Sequence, residues 1–290
     1  MKSREALRVL AEVTESQWGM VTSAQASARG VSHMNLTRLT ESGDLVRLSH
    51  GVYKDAGAPG GQHEELRAAW LATEPAKLAY ERLGERPGSA VVSGESAARL
   101  HGIGDLRAMK SEFTTPTRKQ TQRADVRYRT RALPDQDVTV REGLPTTTRE
   151  RTIADLVEDR HDFSIVGDAL RDAARQSLLD VDRLTELLSP LAERNRHRKG
   201  DGDALLEELL RVAGIDQDNI AKQIASIPSL GGLVAAQYLA SLPRVDTMSG
   251  LDAQIASSGE ASVHTRLAEQ LRAVDWATLA LASQPANEEG

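Results

Sequence analysis

The chain of 290 residues contains no cysteine. That excludes a disulfide framework, a thiolate zinc site and a cysteine nucleophile, and it fits a reducing compartment. No apolar run approaches the length of a membrane span, and the opening MKSREALRVLAEV is amphipathic and too charged for a signal peptide. The expectation is a soluble cytoplasmic protein with no membrane partner. The marks of catalysis are missing too. The seven histidines are scattered and form neither an HExxH pair nor a ligand cluster. No GxSxG elbow surrounds the serine of VVSGES, and GIGD, Gly102 to Asp105, lacks the spacing of a phosphate loop. No catalytic residue, metal or cofactor is therefore expected.

The length favours about two domains. Net charge is -6, but it is distributed unevenly. From Arg107 to Arg131 eight basic residues face two acidic ones, whereas from Gly200 to the end five basic residues face thirteen acidic ones. Polyanions respond to local fields, so an acidic total does not exclude nucleic-acid binding.

The first 55 residues read as a sequence of short elements. Leu7, Leu10, Ala11 and Thr14 recur at helical spacing behind a candidate cap at Ser3. Trp18 to Val21 reads as extended. Thr22 with Gln25 forms a capping box that opens a second helix, which Gly30 ends. Ser32 caps a third helix running to Gly43, with Leu36 and Leu39 as its buried edge. The stretch GDLVRLSHGVYK then suggests a hairpin. If His50-Gly51 is a two-residue turn, residues 49, 48 and 47 pair with 52, 53 and 54. Alternation then places Leu48 and Tyr53 on one face and Arg47 beside Lys54 on the other. Like charges opposite each other are unfavourable on an isolated ribbon, which calls for an anion across that face.

This order, with a helix pair and a two-stranded wing, predicts a winged helix-turn-helix over residues 1–58 whose third helix enters the DNA major groove. Arg38 suits guanine, Asn35 suits adenine, and Met34 or the Thr37 methyl suits thymine. The expected DNA-binding set is Ser32, His33, Asn35, Thr37, Arg38, Arg47, Ser49 and Lys54, the wing cations gripping phosphate. Winged helices read two half-sites, and no dimerisation coiled coil is visible. A monomer in solution and two copies on inverted repeats of duplex DNA are expected.

Residues 60–290 read as one mixed α/β domain, so the fold class is α+β. A basic sheet region over 89–147 is expected from strands at Val91–Ser93, Glu112–Thr115, Val126–Thr130 and Val138–Arg141, with Ser93 and Glu95 capping the helix after the first. Arg127, Arg129 and Arg131 at period two, with Arg118, Lys119 and Arg123 nearby, form a candidate second polyanion surface. Arginines on a sheet are equally a solvated face, and the sequence leaves both readings open. The region 148–283 reads as helical, with a basic hinge at ERNRHRKGDGD and a polar tail after Ser283.

Three stretches carry a family resemblance. Gly30-Val31-Ser32, Leu36, Leu39, Gly43, Leu45 and Gly51-Val52-Tyr53, then VVSGESAARLHGI, then GLPTTTRERTIADLV resemble the signatures of AbiEi-type antitoxins, over about residues 1 to 180. The resemblance implies a cytoplasmic antitoxin that represses its own operon at promoter repeats and neutralises a nucleotidyltransferase-like toxin, with direct contact to that toxin left open. The alternative is a nucleic-acid-processing enzyme in which Asp125, Glu142 and Asp155 hold a catalytic metal beside a winged-helix targeting domain.

Overall fold

The computed structural model describes residues 2–85 and 88–216. The acidic helices and tail expected beyond 216 lie outside the described residues. The described residues divide into two compact units, one formed by residues up to Gly102 with Leu106–Thr152, the other by Ile103–Asp105 with residues 153–216. It is a mixed α and β protein.

The first unit opens with α1 (Ser3–Thr14), whose buried stripe is Ala6, Leu10, Val13 and Thr14. Ser3 is the first helical residue and caps nothing; Lys2 holds the cap position without a side-chain bond. Trp18 is not extended but left-handed, with φ 55°, because the chain turns back after α1 and the Gly19 amide donates to the Thr14 carbonyl. Strand β1 (Met20–Thr22) follows, then α2 (Ser23–Ala28), which the Thr22/Gln25 capping box opens as expected. Gly30 sits at φ 78°, a turn conformation that glycine adopts without a Cβ penalty, and Ser32 then caps α3 (His33–Glu41). Leu36 and Leu39 are fully buried. Burying two such side chains stabilises by roughly 1.5–3 kcal/mol each, which sets which face of α3 stays outside.

Strands β2 (Leu45–Ser49) and β3 (Val52–Asp55) complete a three-stranded antiparallel sheet of order β1-β3-β2. Its two faces belong to different cores. Val21, Leu45 and Tyr53 pack with the α1 and α3 residues, whereas Met20 and Val52 join Leu66, Trp70, Val92, Phe113 and Leu144. The second core rests on α4 (Glu64–Thr73), α5 (Ala79–Gly84) and a five-stranded sheet of order β6-β5-β4-β8-β7. That sheet comprises β4 (Val91–Val92), β5 (Ser111–Thr115), β6 (Val126–Thr130), β7 (Val138–Arg141) and β8 (Leu144–Thr147). Its β5–β6 and β4–β8 pairings are parallel. Helix α6 (Gly94–His101) leaves β4. Its N-terminal cap is Ser93 by position, but the Ser93 hydroxyl accepts from Thr114, and the carboxylate of Glu112 on β5 takes the Glu95 amide instead.

A polar cluster ties the beginning of the unit to residues beyond 58. Gln17 Oε1 accepts from the Ala79 amide at 2.9 Å, Gln25 Nε2 donates to the Lys77 carbonyl at 2.7 Å, and Thr22 Oγ1 donates to the Pro75 carbonyl. Nearby, the Arg82 guanidinium lies 3.5 Å from the Trp70 ring centroid and donates to the Trp70 carbonyl and to Thr73. Burial pushes it down to about 10.

The second unit, as described, is helical. It holds the end of α7 (Arg149–Glu158), then α8 (Phe163–Gln176), α9 (Val181–Leu188) and α10 (Gly202–Ala213). Val166, Leu170, Leu184, Leu188, Leu205 and Leu209 are buried along their apolar stripes. A 3-10 turn at Ser189–Leu191 precedes the hinge segment, which opens with another at Glu193–Asn195 before Asp201 caps α10.

Candidate nucleic-acid interface

Opposite the buried leucines, α3 presents Ser32, His33, Thr37 and Arg38 as exposed residues, with Asn35 half-buried. Met34 is 63% exposed. The Ser32 hydroxyl is used locally, accepting the Asn35 amide at 3.3 Å, and the Thr37 hydroxyl donates to the His33 carbonyl at 3.1 Å. Among the described residues, Arg38 has no ion pair, so its guanidinium retains all its donors for an external partner.

The hairpin departs from the expected register. Arg47 stands opposite Tyr53 and Val46 opposite Lys54, while Ser49 still pairs with Val52. The ladder slips between Arg47 and Ser49, a bulge that inserts Leu48 and turns every earlier side chain to the other face. The like-charged pair of Arg47 and Lys54 therefore does not exist. Arg47 is exposed near the turn, its Nη2 3.3 Å from His50 Nδ1. Lys54 points inward and meets Glu64 of α4 at 2.5 Å, with their side chains only 11% and 26% exposed. Ser49 is half-buried and its hydroxyl has no hydrogen-bond partner among the described residues. Of the expected wing cations, one is available to a phosphate and the other is part of the fold.

The basic stripe of the second sheet is similarly engaged. Arg127 and Arg129 occupy one face of β6, an edge strand, opposite Glu112 and Thr114 of β5; Arg131 lies past its end. Arg127 pairs with Glu112 at 2.9 Å, and Arg123 with Asp125 at 2.5 Å. The Asp125 carboxyl is held below its usual range by that hydrogen bond. Lys119 Nζ donates to the Thr73 carbonyl at 2.7 Å, and burial holds its ammonium below the ordinary lysine value. Arg118 is exposed.

The acidic residues of the alternative enzyme reading also have partners. Glu142 takes Arg67 at 3.3 Å, and Asp155 is fully buried. Among the described residues no group of three or more His, Asp or Glu side chains could hold a metal ion. No helix among them is long and apolar enough to cross a membrane.

Residues 8–53 match the family model described as the transcriptional regulator of the AbiEi antitoxins, and residues 90–208 match that of the AbiEi antitoxin C-terminal domain. A crystal structure of the RV2827C protein from Mycobacterium tuberculosis is similar over 72% of this chain and 77% of that one, at 18% identity and a TM-score of 0.47. At that level nothing is carried across from it. A search of curated proteins gave no match. The two matched regions follow one another in the order that the three sequence signatures led us to expect, and the chain belongs to the AbiEi antitoxins, a family of transcriptional regulators of toxin–antitoxin systems.

Proposed function

We propose that the chain is a DNA-binding antitoxin that represses its own operon, and that its first 55 residues act as a winged helix-turn-helix. The observation that carries this is the outward face of α3. Arg38, Met34, Asn35 and Thr37 sit on a helix fixed by two fully buried leucines and a capped start, preceded by a second short helix and followed by a hairpin. That is the arrangement in which the second helix of a pair lies in the major groove. Arg38 reads guanine, Asn35 adenine, and Arg47 takes phosphate. Two copies occupy an inverted repeat in the promoter, so repression follows from occupancy. The remainder of the chain neutralises a nucleotidyltransferase-like toxin. Both activities are binding, without catalysis or a cofactor.

The test is binding of the full chain to a labelled duplex from upstream of its own gene and to a scrambled duplex. Arg38→Ala should cost about 1–3 kcal/mol on the promoter duplex and relax base preference at one position, leaving the scrambled duplex little changed. Equal loss on both duplexes would remove Arg38 from the reading role. Cleavage of either duplex after adding Mg²⁺ or Mn²⁺ would overturn the non-enzymatic reading.

A further inference from the structure

Among the described residues, the two sheets end in the edge strands β1, β2, β6 and β7. An edge strand invites a further strand unless something blocks it. β1 is buried along its length, β2 is interrupted by the bulge at Leu48, and β6 carries the charges of Arg127 and Arg129. β7 has none of these devices. Its residues Val138-Thr139-Val140-Arg141 keep a regular antiparallel register with β8, opposite Thr147, Thr146, Pro145 and Leu144, and they include neither a proline nor a bulge. Val140 is 39% exposed on this edge.

The ladder decides which backbone groups of β7 face outward. The Asp137 carbonyl accepts the Thr148 amide at 2.9 Å, and bonds across an antiparallel pair involve every second residue. Thr139 and Arg141 therefore bond to β8, while Val138 and Val140 turn their amides and carbonyls away from it. Pro145, opposite Val140, agrees with this, having no N–H to give. The Val138 amide is taken by the Asp135 carbonyl, which leaves the Val138 carbonyl and both backbone groups of Val140 at the edge. These groups select the register in which a second β7 can join. With a two-fold axis at Val140, each Val140 amide donates to the other Val140 carbonyl, whereas a register shifted by two residues would call on the Val138 amide already in use. Val140 then meets Val140 and Arg141 meets Thr139, so no like charges are opposed.

We propose that β7 is the contact between two copies of the chain bound to one operator, the strands running antiparallel about a two-fold axis at Val140 and joining the two five-stranded sheets into one. The proposal rests on the reading that two copies occupy an inverted repeat, whose symmetry is that of the strand pair. A strand of 4 residues buries too little surface to hold a dimer in dilute solution. On an operator the second copy is already at high effective concentration, and the same weak contact becomes cooperativity.

The absence of cysteine lets the contact be read directly. Val140→Cys and Arg141→Cys each give the full chain a single thiol, and each is oxidised mildly without DNA, with a duplex cut to one half-site, and with the promoter duplex carrying both. Residues paired across the axis lie about 5.5 Å apart at Cα, within reach of a disulfide, whereas the two Arg141 positions face Thr139 and not each other. Val140→Cys should form a covalent dimer, fastest on the promoter duplex, and Arg141→Cys should not. Val140→Lys opposes like charges across the axis, and Val140→Pro removes an amide that faces only solvent in a single copy. Both should fold, as circular dichroism checks, keep the parent's affinity for one half-site and lose cooperativity on two. Leu178→Lys, a charge at another exposed apolar position, should match the parent. Equal cross-linking of the two cysteine variants, or unchanged cooperativity in Val140→Lys, would overturn the contact. Cross-linking of Val140→Cys that the promoter duplex does not accelerate would overturn the operator's part in it. A parent that binds neither duplex would remove the proposed function, with the cross-link at high protein concentration still deciding the strand pair.

Discussion

Lys54 and Glu64 approach to 2.5 Å with most of both side chains out of water. A lysine in that position is costly to desolvate, and its carboxylate partner offsets the cost; removing one leaves the other charged and poorly hydrated. Lys54→Ala is therefore expected to destabilise the chain by roughly 2 kcal/mol, less than a fully buried pair because both groups keep some exposure to solvent. Lys54→Met with Glu64→Leu should recover most of that loss. Denaturant unfolding of the single and double variants checks it. The salt dependence of DNA binding should be that of the parent in the double variant, since Lys54 does not face a phosphate. His101 poses the opposite case, a buried group that prefers to be neutral. Burial, opposed by its 2.7 Å bond to the Thr147 carbonyl, pushes its imidazole down to about 4. The unfolded chain then binds a proton near pH 6.5 that the folded chain refuses until about pH 4, so stability present above pH 6.5 is lost as pH falls through that window. Its full size is on the order of 3 kcal/mol. In His101→Gln, which keeps a donor for Thr147, stability measured between pH 6.5 and pH 4 should fall less steeply than in the parent.

Helix α6 shows how an element can be legible in sequence while its cause is not. VVSGESAARLH marks the strand and the helix through its apolar spacing, but the cap is Glu112, from a strand that pairs seventeen residues downstream of Glu95. Local spacing cannot reveal a donor–acceptor pair created by sheet formation. The same limit explains the rest. Thr22/Gln25 and Ser32 were readable because each cap closes within three residues. The hairpin register was not, because a bulge at Leu48 leaves the alternation of residue types intact while shifting the ladder. Lys54 looked like a wing cation because its partner lies on α4, ten residues on and outside the hairpin window. Strand β8 was read only as part of a family signature, since its pairing with β4 and β7 is non-local. For β6 the consequence is mechanical. Arg127 holds Glu112, and Glu112 holds the start of α6, so charge reversal there is no surface change. Arg127→Glu places two carboxylates in cross-strand register and should lower stability by about 1 kcal/mol, seen as a reduced Tm, whereas Arg118→Glu should be neutral.

At the scale of the whole chain, the compact unit continues to Thr152, past the boundary at 58–60 that composition and element order suggested. The reason lies in the three-stranded sheet, whose second face carries Met20 and Val52 into the core around Trp70, and in the Gln17 and Gln25 bonds to residues 77 and 79. A fragment of residues 1–58 would expose that face and lose the bonds from Gln17 and Gln25 to residues 79 and 77. It should not unfold cooperatively and should lose promoter binding, whereas residues 1–152 should melt in one transition and retain it. Thermal denaturation followed by circular dichroism, with mobility shifts on the promoter duplex, decides between them.

Strand β3 lies between β1 and β2 and is tied to α4 through Lys54, so the base of the hairpin is held by β1 along one edge and from beneath. A reader built this way cannot adjust its reach, and any misfit must be taken up by the DNA. Adding one base pair between the half-sites rotates one site by about 35° about the duplex axis. Two copies bound as proposed would then have to twist the operator back, so this repressor should act as a ruler, tolerant of sequence changes between its half-sites and intolerant of changes in their spacing.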